Sequence, residues 1–155
     1  MNWVFFAILG AAILHVPEEY VYPGGFSEFM RQMALPFAPF ITPKFAAVFN
    51  GLFLLLCFVA ALVGQKVPVF SLSIAGLCGI NAMTHVLGAA RARRYAPGLL
   101  TGVFLYLPLS VLAYYLAIRS GQLSVWQGIG SVLLGLAYQA VPLSYLGLTY
   151  VLKRA

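Results

Sequence analysis

The chain has 155 residues, 63% of them hydrophobic and only 8% charged, with a mean hydropathy of +0.96. No water-soluble domain of this size needs so much apolar surface, so the composition excludes that class and leaves one polytopic membrane bundle without room for a second domain. The net charge of +6 does not indicate nucleic acid, because the basic residues are dispersed between apolar runs, as in the loops of a membrane protein.

The expected fold is all-α. At about 20 residues per span, apolar runs predict five transmembrane helices, near Asn2–Val16, Phe45–Val63, Pro68–Leu87, Gly98–Ala117 and Trp126–Leu152. The first run opens without basic residues and no small-residue cleavage site follows it, so no cleavable leader is expected. It ends in His15-Val16-Pro17-Glu18-Glu19, where Pro17 removes a backbone hydrogen bond and predicts an irregular turn. In the long connection that follows, Phe26, Phe29, Met30, Met33 and Phe37 recur at helical spacing, with Glu28, Arg31 and Gln32 elsewhere on the wheel. That pattern predicts a short amphipathic helix in the membrane interface, serving as an anchor or covering a lipid-accessible cavity. Pro68 and Pro97 suit helix starts. Cys57 and Cys78 fall inside spans and read as buried small hydrophobes rather than a disulfide or metal pair. On helix three, Ser71, Ala75 and Gly79 form a small-residue stripe suited to close packing, expected to bring that helix against helix one.

Charge sets the expected orientation. Five spans place Lys66 and Arg119 on one side, and Arg31, Lys44, Arg91, Arg93, Arg94, Lys153 and Arg154 on the other. The richer side is assigned to the cytoplasm, with the N-terminus outside, in the cell membrane. At a rise of about 1.5 Å per residue, both histidines, His15 and His85, then sit near the cytoplasmic end of the hydrocarbon region. The Arg91–Gly98 loop closes the same end.

The His15–Glu19 run gathers two of the three acidic residues and one of the two histidines. Each ionisable side chain near a bilayer centre costs about 2.5–3.5 kcal/mol, so the run marks a site. Residues three and four apart on a helix share a face, which joins His15 to Glu18 and Glu19, and Asn81 to His85. Three readings compete. His15, Glu19 and His85 bind a divalent metal such as zinc or iron. Alternatively, Glu18, Glu19 and His85 act metal-free as acid–base groups, with Asn81 orienting His85 or a substrate oxygen. In the third, the carboxylates pair structurally with the histidines or arginines, although adjacent glutamates repel each other unless a cation lies close. Arg91, Arg93 and Arg94 either satisfy the orientation rule or clamp an anionic headgroup. Tyr106, with Tyr114, Tyr138 and Gln139, is a candidate for the lining of an inner cavity.

With these residues in view, the chain resembles the HXXEE-domain family of small prokaryotic membrane proteins. The likeness rests on His15-Val16-Pro17-Glu18-Glu19, on Asn81-Ala82-Met83-Thr84-His85, matching the family's N-x-x-x-H element, and on Tyr95-Ala96-Pro97-Gly98, matching its Y-x-P-G turn. It covers roughly residues 10–110 and implies which positions matter: His15, Glu18, Glu19, Asn81, His85 and Pro97-Gly98. It implies no chemistry.

The expected function is therefore an integral membrane enzyme with a His/Glu site at the cytoplasmic margin, acting on a lipid or isoprenoid that enters sideways. The reaction is open between metal-assisted hydrolysis or oxidation and acid–base isomerisation, the latter with an architectural analogy to the sterol isomerases. A proton- or cation-coupled carrier using Glu18 and Glu19 is the rival, though no inverted repeat is visible. A non-catalytic partner subunit is the third class, and self-association is open.

Overall fold

The computed structural model describes residues 2–21 and 24–153. Among these residues it is all-helical, with five helices long and apolar enough to cross a membrane. We label the helices α1 (Trp3–Val21), α2 (Gly25–Gln32), α3 (Pro43–Val63), α4 (Pro68–Ala92), α5 (Leu99–Arg119) and α6 (Val125–Leu152). The five-span reading and the short amphipathic helix α2 are both present.

Two local expectations are corrected. The first helix does not stop at Val16 but continues to Val21, and Pro17 lies inside it without a break. Proline removes the bond to the carbonyl four residues back, here that of Ile13, while the turns on either side keep theirs. The irregular backbone appears instead in α5, where Gly102–Tyr106 forms a π-helical turn ahead of Pro108. Pro97 is likewise not the start of a helix. It lies in the turn before it, and Gly98 supplies the left-handed conformation (φ 87°) from which α5 begins.

α4 is the central helix, with a continuous buried run from Ser71 to Cys78. Small residues allow this. A Cβ on Gly135 of α6 would lie 2.7 Å from the Leu77 amide nitrogen and 2.7 Å from the Ser73 carbonyl oxygen, so the two backbones touch. α4 does approach α1 closely enough for His85 to meet Glu19, at 4.0 Å, as expected from sequence, but the stripe itself faces other elements. Ser71 donates to the Gly64 carbonyl (2.9 Å) at the α3–α4 turn, Ser110 of α5 donates to the Ala75 carbonyl (2.6 Å), and Gly79 faces Ser110. Hydroxyls thus reach bare backbone carbonyls where no large side chain intervenes. Tyr114 joins this set, donating to the Leu72 carbonyl at 3.0 Å and pairing with Ser131 at 2.9 Å. Water is absent from a hydrocarbon core, so such internal pairing is required.

The outer surface carries exposed Phe6, Leu14, Leu55, Phe104, Val111 and Leu133, an apolar belt that suits lipid rather than water. Cys57 and Cys78 are buried and free. At one end of the bundle, Asn2 accepts from the Gln65 amide (3.1 Å), fixing the start of α1 beside the α3–α4 turn. The opposite end, holding α2 and the Arg91–Gly98 loop, contains the site.

The backbones of α3 and α6 stand apart and the two helices meet through side chains, with the Tyr145 ring of α6 5.8 Å from those of Phe45 and Phe49. Between them lies an open-sided cavity of about 510 Å³, lined among others by Phe45, Phe49, Asn50, Gln139, Pro142 and Leu143. α2 and the segment after it roof it: Phe26, Phe29 and Met30 of α2, with Met33 and Phe37 beyond its end, all line the cavity, and Phe29 rests over Gly88 of α4. A second cavity of about 310 Å³ continues along the same gap towards Leu52, Leu55 and Tyr138.

Candidate functional site

The last turns of α1 deliver His15, Glu18 and Glu19, and the α4 segment below Ala92 delivers Asn81 and His85. The two glutamates, adjacent in sequence, have different surroundings. Glu18 accepts the backbone amides of Leu100 (2.9 Å) and Thr101 (2.8 Å) and the hydroxyls of Tyr95 and Thr101. It therefore caps the first turn of α5 from across the bundle, satisfying amides that no helical carbonyl can reach and placing negative charge at a helix N-terminus. These four donors all belong to the Tyr95–Thr101 segment.

Glu19 faces inward, 13% exposed, with one oxygen 4.0 Å from His15 Nε2 and the other 4.0 Å from His85 Nε2. His15 and His85 are 1% and 2% exposed, and their rings stand 5.0 Å apart at 67°. Among the described residues, their Nε2 atoms, the His85 Nδ1 and the Asn81 Oδ1 have no hydrogen-bond partner. Tyr106, at the end of the π turn, stacks on His15 at 4.5 Å, and Phe26 of α2 meets His85 edge-on at 5.7 Å.

Two features hold the imidazoles. A Cβ on Gly98 would lie 2.7 Å from His85 Cε1 and 2.8 Å from His15 Cε1, so the turn packs its bare backbone against both rings. Only glycine serves here, for space and for φ. The second feature is Thr101. Its hydroxyl donates to Glu18, and its oxygen lies 2.7 Å from His15 Nδ1. With its single proton committed to the carboxylate, Thr101 can only accept from His15. Nδ1 therefore carries the hydrogen, and Nε2 presents a lone pair towards Glu19 and His85.

A family model described as a protein of unknown function with an HXXEE motif matches residues 3–113. The chain belongs to the HXXEE family. In this member the H and the second E of the motif, His15 and Glu19, face the interior with His85, while the first E, Glu18, anchors α5. The matched residues include every polar group of the cluster; α6 lies beyond them. No curated protein and no solved structure matches the chain.

The structure brings His15, Glu19, His85 and Asn81 together at the cavities: Glu19 and Asn81 line both, His85 the larger and His15 the smaller. Arg91 and Arg93 are exposed at the end of α4, and neither lines a cavity. Arg94 donates to Gln32 and lies 5.2 Å over the Phe29 ring, fastening α2. Arg31 of α2 is the arginine on the larger cavity's wall. Tyr106 is fully buried behind His15, Tyr114 belongs to the α4–α6 contact, and Tyr138 and Gln139 line the smaller cavity. Arg154 lies outside the described residues.

Sequence reasoning missed Thr101 and Asn50. Asn50 stands beside Glu19 on the wall of both cavities. A carboxamide within an otherwise apolar span was a readable signal. Thr101 gave none, because a threonine in the first turn of a helix is ordinary.

Proposed function

We propose that the protein is an integral membrane enzyme that acts on a lipid or isoprenoid at Glu19, His15 and His85. The observation that carries this reading is the position of Glu19 and His85 on the wall of an open-sided, largely apolar cavity of about 510 Å³. Ligand sites combine apolar walls with a few convergent polar groups, and this cavity has that make-up. Its gap between α3 and α6 offers sideways access from the bilayer, so a chain-like substrate need never cross water. Asn50, Asn81 and Gln139, shared by the two cavities, lie at the depth where such a substrate's polar group would stop.

The chemistry best suited to these groups is proton transfer, in hydrolysis or isomerisation. Glu19 takes or gives a proton at the reacting group, and His15, held in one tautomer by Thr101, offers a fixed acceptor beside it. Glu18 positions α5 and takes no part in the reaction. We place the protein in the cell membrane with its N-terminus outside, on the excess of basic residues at the site's end.

The test is conversion in proteoliposomes. Wild-type protein incubated with extracted membrane lipids and polyprenyl substrates should consume one species by mass spectrometry, and Glu19→Gln should slow this at least about 100-fold. A wild type that converts none of them, and is not labelled in the α3–α6 gap by a photoreactive lipid, overturns the reading.

A further inference from the structure

We propose that His15 Nε2, His85 Nε2 and a Glu19 carboxylate oxygen form a binding site for one divalent transition-metal ion, zinc or iron(II). The three ligand atoms lie within 4.8 Å of one another, and each histidine nitrogen is 4.0 Å from Glu19. That separation is too long for a direct hydrogen bond, which needs about 2.7–3.2 Å. It is close to what a shared ion requires. With bonds of about 2.0–2.1 Å, two ligands stand about 3.3 Å apart at a tetrahedral angle and about 4.2 Å apart in line. The two histidine–Glu19 separations, which run to different oxygens of the carboxylate, would close by about 0.7 Å, and the widest separation in the set by up to about 1.5 Å, to reach the tetrahedral value.

Burial gives the second, independent observation. Both nitrogens belong to side chains no more than 2% exposed and have no hydrogen-bond partner among the described residues. A buried acceptor left unpaired costs about 1–3 kcal/mol, and these two converge on the same carboxylate. The surroundings of His15 point the same way. A metal-bound histidine usually donates its other ring hydrogen to an oxygen that fixes the ring and tautomer, and here Nδ1 gives it to Thr101, which is itself held by Glu18. Two imidazoles and one carboxylate favour zinc or iron(II) over magnesium or calcium, which prefer all-oxygen ligands. Three protein ligands leave room for a further one, and Glu19 and His85 meet it from the wall of the larger cavity.

The proposal rests on the enzyme reading at the same site and replaces its metal-free proton transfer, because coordination occupies the His15 Nε2 lone pair and a Glu19 oxygen; its test needs no substrate. Purified full-length protein is stripped with a chelator and titrated with zinc, with iron(II) under anaerobic conditions, and with cobalt(II) as a spectroscopic probe. We expect one ion per chain for zinc or iron(II), and visible ligand-field bands with cobalt. His85→Ala and Glu19→Gln should abolish both at unchanged elution and unfolding temperature. Thr101→Val should weaken binding about 10- to 100-fold, with Thr101→Ser restoring it. Wild-type protein that takes up only a small fraction of an ion overturns the proposal whether or not any variant folds. So does stoichiometric uptake that survives in the His85→Ala, Glu19→Gln double variant. Stoichiometric metal without lipid conversion would sink the enzyme reading alone; lipid conversion by wild-type protein that takes up no metal in the titration would sink the metal site alone.

Discussion

Thr101 gives Glu18 two hydrogen bonds, from its amide at 2.8 Å and from its hydroxyl, and the same hydroxyl oxygen receives His15 at 2.7 Å. One threonine thus connects the capping of a helix to the tautomer of a buried imidazole. The two glutamates of the motif should then fail in different ways. Glu18→Ala strands two amides and two hydroxyls, and we expect a loss of about 2–3 kcal/mol in thermal or denaturant unfolding. Glu19→Gln should leave stability nearly unchanged while abolishing activity. Equal destabilisation by both substitutions would contradict this division.

Gly98 and Gly24 have nearly the same backbone, φ 87° and 82°, but a Cβ on Gly24 meets nothing within 4 Å. Gly24→Ala should cost only the left-handed penalty, about 1–2 kcal/mol. Gly98→Ala adds collision with both histidines and should cost about 2 kcal/mol more. The difference in unfolding free energy between these variants measures the crowding alone, and a difference near zero would mean the turn can retreat from the rings.

At the α4–α6 contact, Gly135→Ala should destabilise by about 1–3 kcal/mol, since its Cβ meets backbone that cannot rotate away. Gly130, in the same helix with open space around it, is the control. Gly130→Ala should be neutral or stabilising by up to about 1 kcal/mol. Matching losses at both sites would show that helix geometry rather than contact sets the effect.

Orientation is open to cysteine labelling. Gly121→Cys, on the α5–α6 turn, should react with a membrane-impermeant maleimide in intact cells, while Arg93→Cys should react only after permeabilisation. Cys57 and Cys78 are 0% exposed and should stay silent. The reverse pattern would invert the assigned topology.

Access through the α3–α6 gap has its own variant. Ala46 lines the larger cavity and is half-buried. Ala46→Trp should cut photoreactive-lipid labelling at least several-fold while elution and metal uptake hold. Undiminished labelling would place the route elsewhere.

Much of this was legible beforehand. Apolar run length announced five spans, and the rarity of Glu18, Glu19, His15 and His85 in such a chain marked the site. Glu18 and Glu19 could not be told apart, because what separates them is contact with Leu100 and Thr101, more than eighty residues away along the chain. Pro17 misled for a related reason. A missing hydrogen bond in one turn is a local effect, and the turns on either side outweigh it. The arginines were over-read: charge near a site is easily seen in sequence, but whether Arg94 reaches a cavity or lies over Phe29 depends on where α2 folds back.

His15, Glu19, Asn81 and His85 come from α1 and α4, whereas Gln139, Pro142, Leu143 and Leu146 on the wall of the larger cavity belong to α6, beyond the residues that the family model matches. Under the proposed function, chemistry and selectivity would be carried by different stretches of chain. Under that function, a mutation at Leu143 or Pro142 would change what the cavity accepts and leave the His–Glu cluster untouched, because neither residue is part of it.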